Sequence, residues 1–503
     1  MILALTALGF VLRVVNLGQG LFGDELSTAW IVSGHSLGHV LHAIRGNDEI
    51  TPPLYFVLAW ASSKLGSNPD LLRLPSLVAG TASIPLIYAL GVRTVGRGAG
   101  VLAAAIMAIA PFLIYYGTEA RAYALMIALV ICAVLALLNA IDTGSRGWWA
   151  AYALASAAAM YTHYTSGFAL AAAAIWGLWA CPRHRRQIIA ANAAAFLLFV
   201  PWLPGFVADN NSPTTAILSA LQPFTFTNVR LSLENWSVGF PYVSLHVVPG
   251  YLAAALIAAG AIAAAGFILV VRPRRGAPTW KRPPDRVVLV VMLALATPLG
   301  EAVISAFGTD LLGARNINSA WPGLALSLGA LLAATPMPAA VACTALVVAG
   351  YAIGAARSTE PRASRSDYPA AARFIADRAK PGDVVVDGAP FTPVPLTGLD
   401  VYLPRGHPEF RLGLPTVPRP FLPGDPIPDV RRQISRIFAV GRGHTIFLLV
   451  AGTAPTEASV LHPAFAGLSD ELLTRLPAGF RIVQRESFPA IAPLAVLVIR
   501  TPA

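Results

Sequence analysis

The feature that most constrains this chain is a series of apolar segments, each about as long as a helix that crosses a bilayer. A membrane-spanning helix needs about 20 mainly apolar residues. Segments of this kind lie near residues 1–17, 72–92, 99–116, 120–141, 147–163, 165–181, 187–206, 247–271, 286–306, 317–335 and 338–356. This pattern predicts a polytopic α-helical membrane protein with about eleven transmembrane helices.

Composition excludes the main soluble classes. Only 12% of the 503 residues are charged and 56% are hydrophobic, whereas a soluble domain carries about 25% charged residues. Cys132, Cys181 and Cys343 lie in apolar segments, so we expect small buried side chains rather than a disulfide framework. The net charge of +11 comes from arginines beside the apolar segments, which is typical of cytoplasmic loops rather than of a nucleic-acid-binding surface.

Basic residues orient the predicted spans. They follow the second, fourth, sixth and eighth spans, at Arg93, Arg97, Arg146, Arg183, Arg185, Arg186 and within 272–286. Loops rich in arginine and lysine stay in the cytoplasm. We therefore expect a protein of the plasma (inner) membrane whose N-terminus is cytoplasmic and whose C-terminus is extracytoplasmic.

The first external loop, residues 18–71, is predicted to be long and partly helical. Its segment 51–66 is apolar enough for a short span, but as a span it would move every later basic loop to the outer side. We interpret it as a juxtamembrane helix in the interface, with Tyr55 and Trp60 at the level of the headgroups. Residues 27–42 are predicted to form a second such helix.

The last third of the chain differs from the rest. Residues 357–503 contain more charged residues, proline and glycine, and no apolar segment long enough to span a bilayer. Helical spacing of apolar residues at 367–380 predicts a helix. Strands are predicted at the short β-rich segments 383–387, 445–451, 480–486 and 494–500. We predict a small extracytoplasmic α/β domain over 357–503, after a transmembrane domain over 1–356.

Under this topology, unusual polar residues from separate connections meet at the outer face. They are Asp24, Glu25, Arg73, Glu119, Arg121, His163, Tyr164 and Arg315. Taken singly, these residues have ordinary explanations. An acidic pair such as Asp24-Glu25 commonly caps a helix. Glu119 and Arg121 are two residues apart and so do not face each other on a helix, which is typical of a charged loop. Arg13 lies within the first span, where burying a charge is energetically costly. Such a residue is usually functional or paired with an opposite charge, or its side chain extends to the polar end of the helix. The coincidence of the set on one face predicts a functional site.

This set fits a particular chemistry. Adjacent carboxylates can deprotonate and orient a hydroxyl group, arginines bind phosphate through charge-assisted bonds, and aromatic rings stack on sugars. The combination suits transfer of a group from a lipid-linked phosphate donor to an acceptor hydroxyl. Asp24, Glu25 and His163 lack the tight spacing of a metal site, so no metal site or other cofactor is predicted, and a divalent cation is left open.

At these residues the chain resembles the bacterial GT-C fold glycosyltransferases of the protein-mannosyltransferase-like group (family 39), which use polyprenyl-phosphate sugars. The motifs occur in order over roughly 10–335: Asp24-Glu25, Pro-Pro-Leu-Tyr at 52–55, Arg-Leu-Pro-Ser at 73–76, Glu-Ala-Arg-x-Tyr-Ala-Leu at 119–125, Tyr-Thr-His-Tyr at 161–164, and Arg315. The chain departs from the family pattern at Thr51, where histidine is common, and at Asn316, where tyrosine is common. Its content of alanine, glycine, proline and arginine suggests an actinobacterial source.

The resemblance implies a GT-C architecture and specific roles. Asp24 is expected to be the catalytic base, with Glu25 assisting it. Donor and phosphate binding are expected from Arg73, Glu119, Arg121, His163, Tyr164 and Arg315, and loop or acceptor contacts from Tyr55 and Tyr116. The implied reaction is inverting transfer of a monosaccharide, mannose before arabinofuranose, from a polyprenyl-phosphate donor to a cell-envelope glycan, glycolipid or protein.

Two other classes remain open. A transporter or flippase for lipid-linked sugars needs polar groups through the bilayer and typically inverted repeats. A non-catalytic membrane scaffold that presents the tail would leave the polar residues of the outer face without a role. An outward pocket lined by Asp24, Arg121 and Arg315 distinguishes the enzyme from the scaffold.

Overall fold

A computed structural model gives the architecture of residues 1–46, 49–212, 223–239, 250–271, 285–388, 394–404, 406–412, 429–451 and 468–501. The predicted basic loop at 272–284 lies outside these described residues. The helices of the first part of the chain are α1 Ile2–Val15, α2 Asp24–Val32, α3 Leu37–Arg45, α4 Leu54–Ser63, α5 Leu74–Thr94, α6 Arg97–Ile109, α7 Pro111–Tyr116, α8 Tyr123–Thr143, α9 Arg146–Met160, α10 Ser166–Ala180, α11 Arg185–Phe199, α12 Leu203–Asn210, α13 Phe226–Ser237, α14 Gly250–Val271, α15 Asp285–Phe307, α16 Trp321–Ala334 and α17 Met337–Arg357.

Each predicted span contains helix within its described residues. Seven described helical segments are long and apolar enough to cross a membrane: Pro69–Thr94, Tyr123–Thr143, Pro182–Asn210, Leu252–Leu269, Asp285–Phe307, Asn316–Ala334 and Met337–Arg357. The other four predicted spans correspond to α1, α6, α9 and α10, which have 13 to 15 residues. The prediction of a multi-pass helical membrane protein is therefore confirmed.

Glycines let these helices pack closely. Gly91 of α5 faces Gly100 of α6 so closely that a Cβ on Gly91 would lie 2.5 Å from the Gly100 Cα. Similarly, a Cβ on Gly329 of α16 would lie 2.5 Å from the Ala99 carbonyl oxygen. Small residues at such crossings are the usual means of helix association in membranes, because lipid tails are as apolar as the helix surfaces.

The predicted span 99–116 is interrupted. Proline has no N–H group, and the residue before it disfavours the α conformation. Ala110 accordingly takes an extended conformation (φ −63°, ψ 121°) between α6 and α7, which begins at Pro111. The short α7 then leads directly into residues 117–122, which carry Glu119 and Arg121.

The first external loop forms three short helices, α2, α3 and α4. Helix α4 confirms that the segment 51–66 is helical, and its position in the membrane interface stays a prediction. The helix predicted at 27–42 is wrong as a single element, because Gly34 adopts φ +77° and separates α2 from α3. The three helices pack around a common core that includes Leu26, Ile44 and Phe56.

The tail forms a mixed five-stranded sheet flanked by helices. Its strands are β1 Val384–Asp387, β2 Glu409–Arg411, β3 Thr445–Ala451, β4 Arg481–Phe488 and β5 Leu494–Arg500, and its helices are α18 Tyr368–Ala376, α19 Gly398–Tyr402, α20 Val430–Val440 and α21 Leu468–Thr474. The strand order is β2-β1-β3-β5-β4; β1 is parallel to β2 and β3, and β5 is antiparallel to β3 and β4. All four predicted β-rich segments are strands, so the predicted α/β domain is confirmed; β2, with three residues, was not predicted.

The tail packs directly on the first external loop. The Leu21 N–H donates to Tyr402 Oη at 2.9 Å. Val394 of the tail joins the loop core, and Phe22 of the loop packs against the tail core around α18. The segment just before α2 therefore lies between the helical part of the chain and the sheet domain.

Candidate active site

The acidic pair begins α2, directly after Gly23, which adopts φ +56°. Successive residues on a helix point about 100° apart, because one turn takes 3.6 residues. The two carboxylates accordingly have different surroundings. The Asp24 side chain is 16% exposed, whereas Glu25 is fully buried.

Asp24 meets two of the predicted arginines. Arg315 Nη1 donates to Asp24 Oδ2 at 2.6 Å, and Arg121 Nε lies 3.9 Å from the same oxygen. Arg315 precedes the 3₁₀ turn Asn316–Ala320, and Arg121 precedes α8. The structure thus brings together three predicted site residues from three separate connections, each partly shielded from solvent.

Arg121 is held by an acidic residue, Glu49, that was not among the predicted site residues. Its Nη1 donates to Glu49 Oε2 at 2.6 Å, and its Nη2 to Glu49 Oε1 at 3.1 Å. Thr51 Oγ1 donates to the same Oε1 at 2.9 Å and accepts from Arg121 Nη2 at 3.1 Å. This forked geometry fixes the guanidinium orientation. The only feature of the sequence that drew attention to this segment was Thr51, which departs from the family pattern.

Glu25 is paired with Arg73. Arg73 Nε and Nη2 donate to Glu25 Oε1 and Oε2 at 2.7 and 2.6 Å, and both side chains are fully buried. The Ala120 N–H also donates to Oε1 at 2.8 Å. Burial by itself raises the pKa of Glu25, but the Arg73 and Arg365 guanidiniums and these hydrogen bonds hold that pKa below its usual value.

Arg73 serves the backbone of the first loop as well. Its Nη atoms donate to the carbonyl oxygens of Leu17, Gln19 and Gly20. The structure therefore brings Arg73 to Glu25, but it does not bring Arg73 to the Asp24–Arg315 pair.

Glu119 is buried beside these groups. Its Oε2 makes no hydrogen bond within the described residues. Burial raises the pKa of Glu119 to about 8; Arg365 and Arg121 oppose that rise, while Glu25 and Asp24 add to it. The carboxyl group is therefore mainly protonated at neutral pH.

His163 and Tyr164 are neighbours in the chain but lie in different places. Burial and the nearby Arg121 and Arg315 charges lower the pKa of His163 to about 3, so its imidazole is neutral, and Nδ1 lies 2.9 Å from Thr165 Oγ1. Tyr164 Oη instead donates to Asp209 Oδ2 and accepts from Trp202 Nε1 at 2.9 Å. His163 therefore lies near the charges of Arg121 and Arg315, whereas the Tyr164 hydroxyl is engaged by Asp209 and Trp202.

The two tyrosines expected near the acceptor are buried. Tyr55 Oη donates to the Leu72 carbonyl at 2.9 Å and accepts from Ser76 Oγ at 3.0 Å. Tyr116 packs edge-on against Phe112 and Tyr123, each with ring centroids 4.7 Å apart. Their expected contacts with an acceptor stay predictions.

Among the residues that the structure describes, no group of three or more His, Cys, Asp or Glu side chains is arranged to hold a metal ion. The carboxylates of the site instead face arginines. This arrangement suits recognition of an anion beside a base, since guanidinium groups bind phosphate oxygens well.

Residues 51–204 match the family model described as dolichyl-phosphate-mannose-protein mannosyltransferase. The matched segment includes Arg73, Glu119, Arg121 and His163, whereas Asp24 and Arg315 lie outside it. No curated protein sequence matches the chain.

Several solved structures resemble this chain over most of its length. The crystal structure of ArnT from Cupriavidus metallidurans bound to undecaprenyl phosphate matches with 13% identity and a TM-score of 0.50, over 98% of this chain and 97% of that chain. The archaeal oligosaccharyltransferase AglB from Archaeoglobus fulgidus matches with 10% identity and a TM-score of 0.47, over 89% of this chain and 69% of that chain. The arabinofuranosyltransferase AftD from Mycobacteria matches with 18% identity and a TM-score of 0.44, over 100% of this chain and 40% of that chain. The likeness to ArnT spans nearly the entire chain, so this protein has the GT-C fold, and its resemblance to glycosyltransferases of that fold is confirmed.

Proposed function

We propose that this protein is a membrane glycosyltransferase that moves a monosaccharide from a polyprenyl-phosphate donor to an acceptor hydroxyl on the extracytoplasmic face. The observation that carries the proposal is the partly exposed Asp24 carboxylate held between Arg315 and Arg121. The fold shared with ArnT, solved with undecaprenyl phosphate, and the match to a family model named for dolichyl-phosphate mannose support the same donor class.

In the proposed reaction, the acceptor oxygen attacks the anomeric carbon as the bond from that carbon to the donor phosphate breaks. The acceptor proton passes to Asp24, and the configuration at the anomeric carbon inverts. Arg121 and Arg315 stabilise the negative charge that develops on the departing lipid phosphate. Arg315 can exchange its bond to Asp24 for a bond to the phosphate, which frees the carboxylate to accept the proton.

The other predicted residues then divide into two groups. Glu49 and Thr51 orient Arg121, and the neutral His163 offers a hydrogen bond beside the arginines without adding charge. Glu25 and Arg73 hold the first loop in place rather than contact the substrate, because each is fully buried and engaged with the other. This refines the direct roles expected for Glu25 and Arg73 from the sequence.

Mannose is our first candidate sugar because the matched family model is named for a mannose donor. Arabinofuranose on decaprenyl phosphate is the second, from the composition typical of GC-rich actinobacteria. The proposed acceptor is a hydroxyl of a cell-envelope glycan, glycolipid or protein, which places the enzyme in cell-wall biogenesis.

The test is transfer from radiolabelled decaprenyl-phosphate mannose, beside the arabinofuranose donor, in membranes that contain overexpressed protein. Asp24→Asn is expected to lower transfer by about 100-fold or more, with binding of the donor to the purified protein retained. The matched control is Asp377→Asn, an exposed aspartate of the tail, and it should leave transfer unchanged.

Two results would contradict the proposal. Near-normal transfer by Asp24→Asn would remove Asp24 as the base. Absence of transfer from both donors, together with absence of donor binding by the purified wild-type protein, would remove the proposed donor class.

A further inference from the structure

Arg365 belongs to the tail, yet its side chain is buried beside the acidic pair. Its Nε lies 3.4 Å from Glu25 Oε2. Its Nη2 donates to the Tyr115 carbonyl oxygen at 3.1 Å, and its guanidinium lies 4.1 Å from the centre of the Tyr115 ring. Its Nη1 lies 3.5 Å from Thr118 Oγ1. One tail side chain therefore contacts α2, α7 and the turn that leads to Glu119.

The backbone around Arg365 is attached on both sides. The Arg365 N–H donates to Gln19 Oε1 of the first loop at 3.1 Å. On the other side, Ser366 Oγ donates to the Ala492 carbonyl at 2.6 Å, and the Ile491 N–H donates to the Ser364 carbonyl at 2.8 Å. These last two bonds attach the segment to the residues just before β5, so the Arg365 backbone is tied to the tail sheet.

Glu25 is consequently neutralised from two directions. Arg73 approaches it from the start of the second span, and Arg365 approaches it from the tail. A fully buried carboxylate is stable as an anion only when it is paired and hydrogen-bonded. Because Asp24 precedes Glu25 in the same helical turn, the position of Glu25 determines where Asp24 stands relative to Arg315.

We propose that Arg365 is a positioning residue of the transfer reaction: the C-terminal domain completes the active site by holding Glu25, and through it Asp24, in place. The expected effect of Arg365 on turnover rests on the proposed glycosyltransferase function. The tail would act on the first loop of the membrane domain independently of any contact that it makes with the acceptor.

The first experiment compares Arg365→Gln and Arg365→Lys with the matched control Arg362→Gln, an exposed arginine three residues earlier. Arg365→Gln is expected to lower kcat about 10- to 100-fold, because small displacements of a reacting group have effects of this size. The donor Kd should stay within about twofold, since Arg365 does not face the Asp24–Arg315 pair. Arg365→Lys should recover part of kcat because the charge beside Glu25 is kept, and Arg362→Gln should behave as wild type.

A double-mutant cycle separates positioning from a general loss of structure. In the background of Glu25→Gln, the additional change Arg365→Gln should lower kcat much less than it does in wild type, because no buried carboxylate is left unpaired. An equal loss in both backgrounds, or a change confined to the KM for the acceptor, would overturn the proposal.

The last arm does not depend on activity. Hydrogen–deuterium exchange of residues 17–32 should be about tenfold faster in Arg365→Gln than in Arg362→Gln, since the loop loses a contact that limits its local opening. Unchanged exchange would overturn the positioning role even if kcat fell. If wild type neither transfers sugar from nor binds either donor while exchange accelerates as expected, the proposed function fails and the contact between Arg365 and the first loop stands.

Discussion

At the scale of single residues, the main finding is that adjacent carboxylates have opposite surroundings. Asp24 keeps some solvent exposure and faces Arg315 and Arg121. Glu25 is fully buried and faces Arg73. A partly exposed carboxylate flanked by arginines can exchange partners with a substrate, whereas a buried carboxylate that accepts several hydrogen bonds stabilises the structure. We propose Asp24 as the base for this reason.

Glu119 gives a residue-scale prediction for stability against pH. Burial raises the pKa of Glu119 to about 8 from the usual value of 4.5, so between these values the folded protein keeps a proton that the unfolded chain releases. Stability should therefore fall as pH rises through this range. Glu119→Gln removes this titration. Its thermal-unfolding midpoint relative to wild type should rise between pH 5 and pH 8, measured by circular dichroism in detergent.

The control for this measurement is Glu471→Gln in the tail, where a partly exposed Glu471 forms an ion pair with Arg475. Its difference from wild type should change little over the same pH range. A pH-independent difference for Glu119→Gln would show that the Glu119 carboxyl is not protonated in the folded protein.

At the scale of elements, Pro111 and Arg13 together shape the segment that carries Glu119. Pro111 cannot donate to the Met107 carbonyl, which a continuous helix would require. Arg13 Nη2 donates to that carbonyl at 3.2 Å and to the Leu113 carbonyl at 3.3 Å. The Arg13 side chain is buried within the protein, so it does not extend to the polar end of its helix. The charge within the first span therefore stabilises the break between α6 and α7.

Gly117 gives the element-scale prediction. A Cβ at Gly117 would lie 2.5 Å from Arg13 Nε and 2.9 Å from the Leu113 carbonyl oxygen. Gly117→Ala should therefore destabilise the protein by about 1–3 kcal/mol, the usual cost of overpacking, seen as a lower thermal-unfolding midpoint. Gly147→Ala is the control, because the nearest neighbouring atom would be Ser145 Oγ at 3.6 Å and alanine favours the helix. Equal effects of the two changes would refute the steric explanation.

At the scale of the whole molecule, the first external loop is held between two parts of the chain. From the helical part, Arg73 binds the backbone of the loop. From the tail, Arg365 binds the Gln19 side chain of the loop, and Tyr402 binds the Leu21 N–H. The loop that carries the proposed base therefore depends on both parts for its position. The tail is thus a structural component of the candidate site in addition to being a separate sheet domain.

Orientation in the membrane gives the whole-molecule prediction. Arginine-rich loops stay in the cytoplasm, so Arg146 should be inside and the tail residue Arg442 outside; both are exposed. In a background that lacks Cys132, Cys181 and Cys343, a membrane-impermeant maleimide should label Arg442→Cys in intact cells and Arg146→Cys only after lysis. The reverse pattern would place the candidate site on the cytoplasmic side and contradict the proposed topology.

The sequence by itself determined much of the architecture. Apolar length located the spans, and the alternation of apolar residues located four strands of the tail. These signals are local, because a helix or strand displays its pattern within its own residues. The helix predicted at 27–42 was wrong because Gly34 turns the chain within an otherwise helical pattern, and β2 was missed because three residues carry too little periodicity.

The pairing of charges depended on the tertiary structure alone. The partners Arg73 and Glu25 are 48 residues apart, Arg121 and Glu49 are 72 apart, and Arg315 and Asp24 are 291 apart. Any of these arginines could face any of these carboxylates as far as the sequence shows. Only the packing of helices, loop and tail decides which charges meet, because an ion pair forms between groups that are close in space and leaves no pattern in the residues between them.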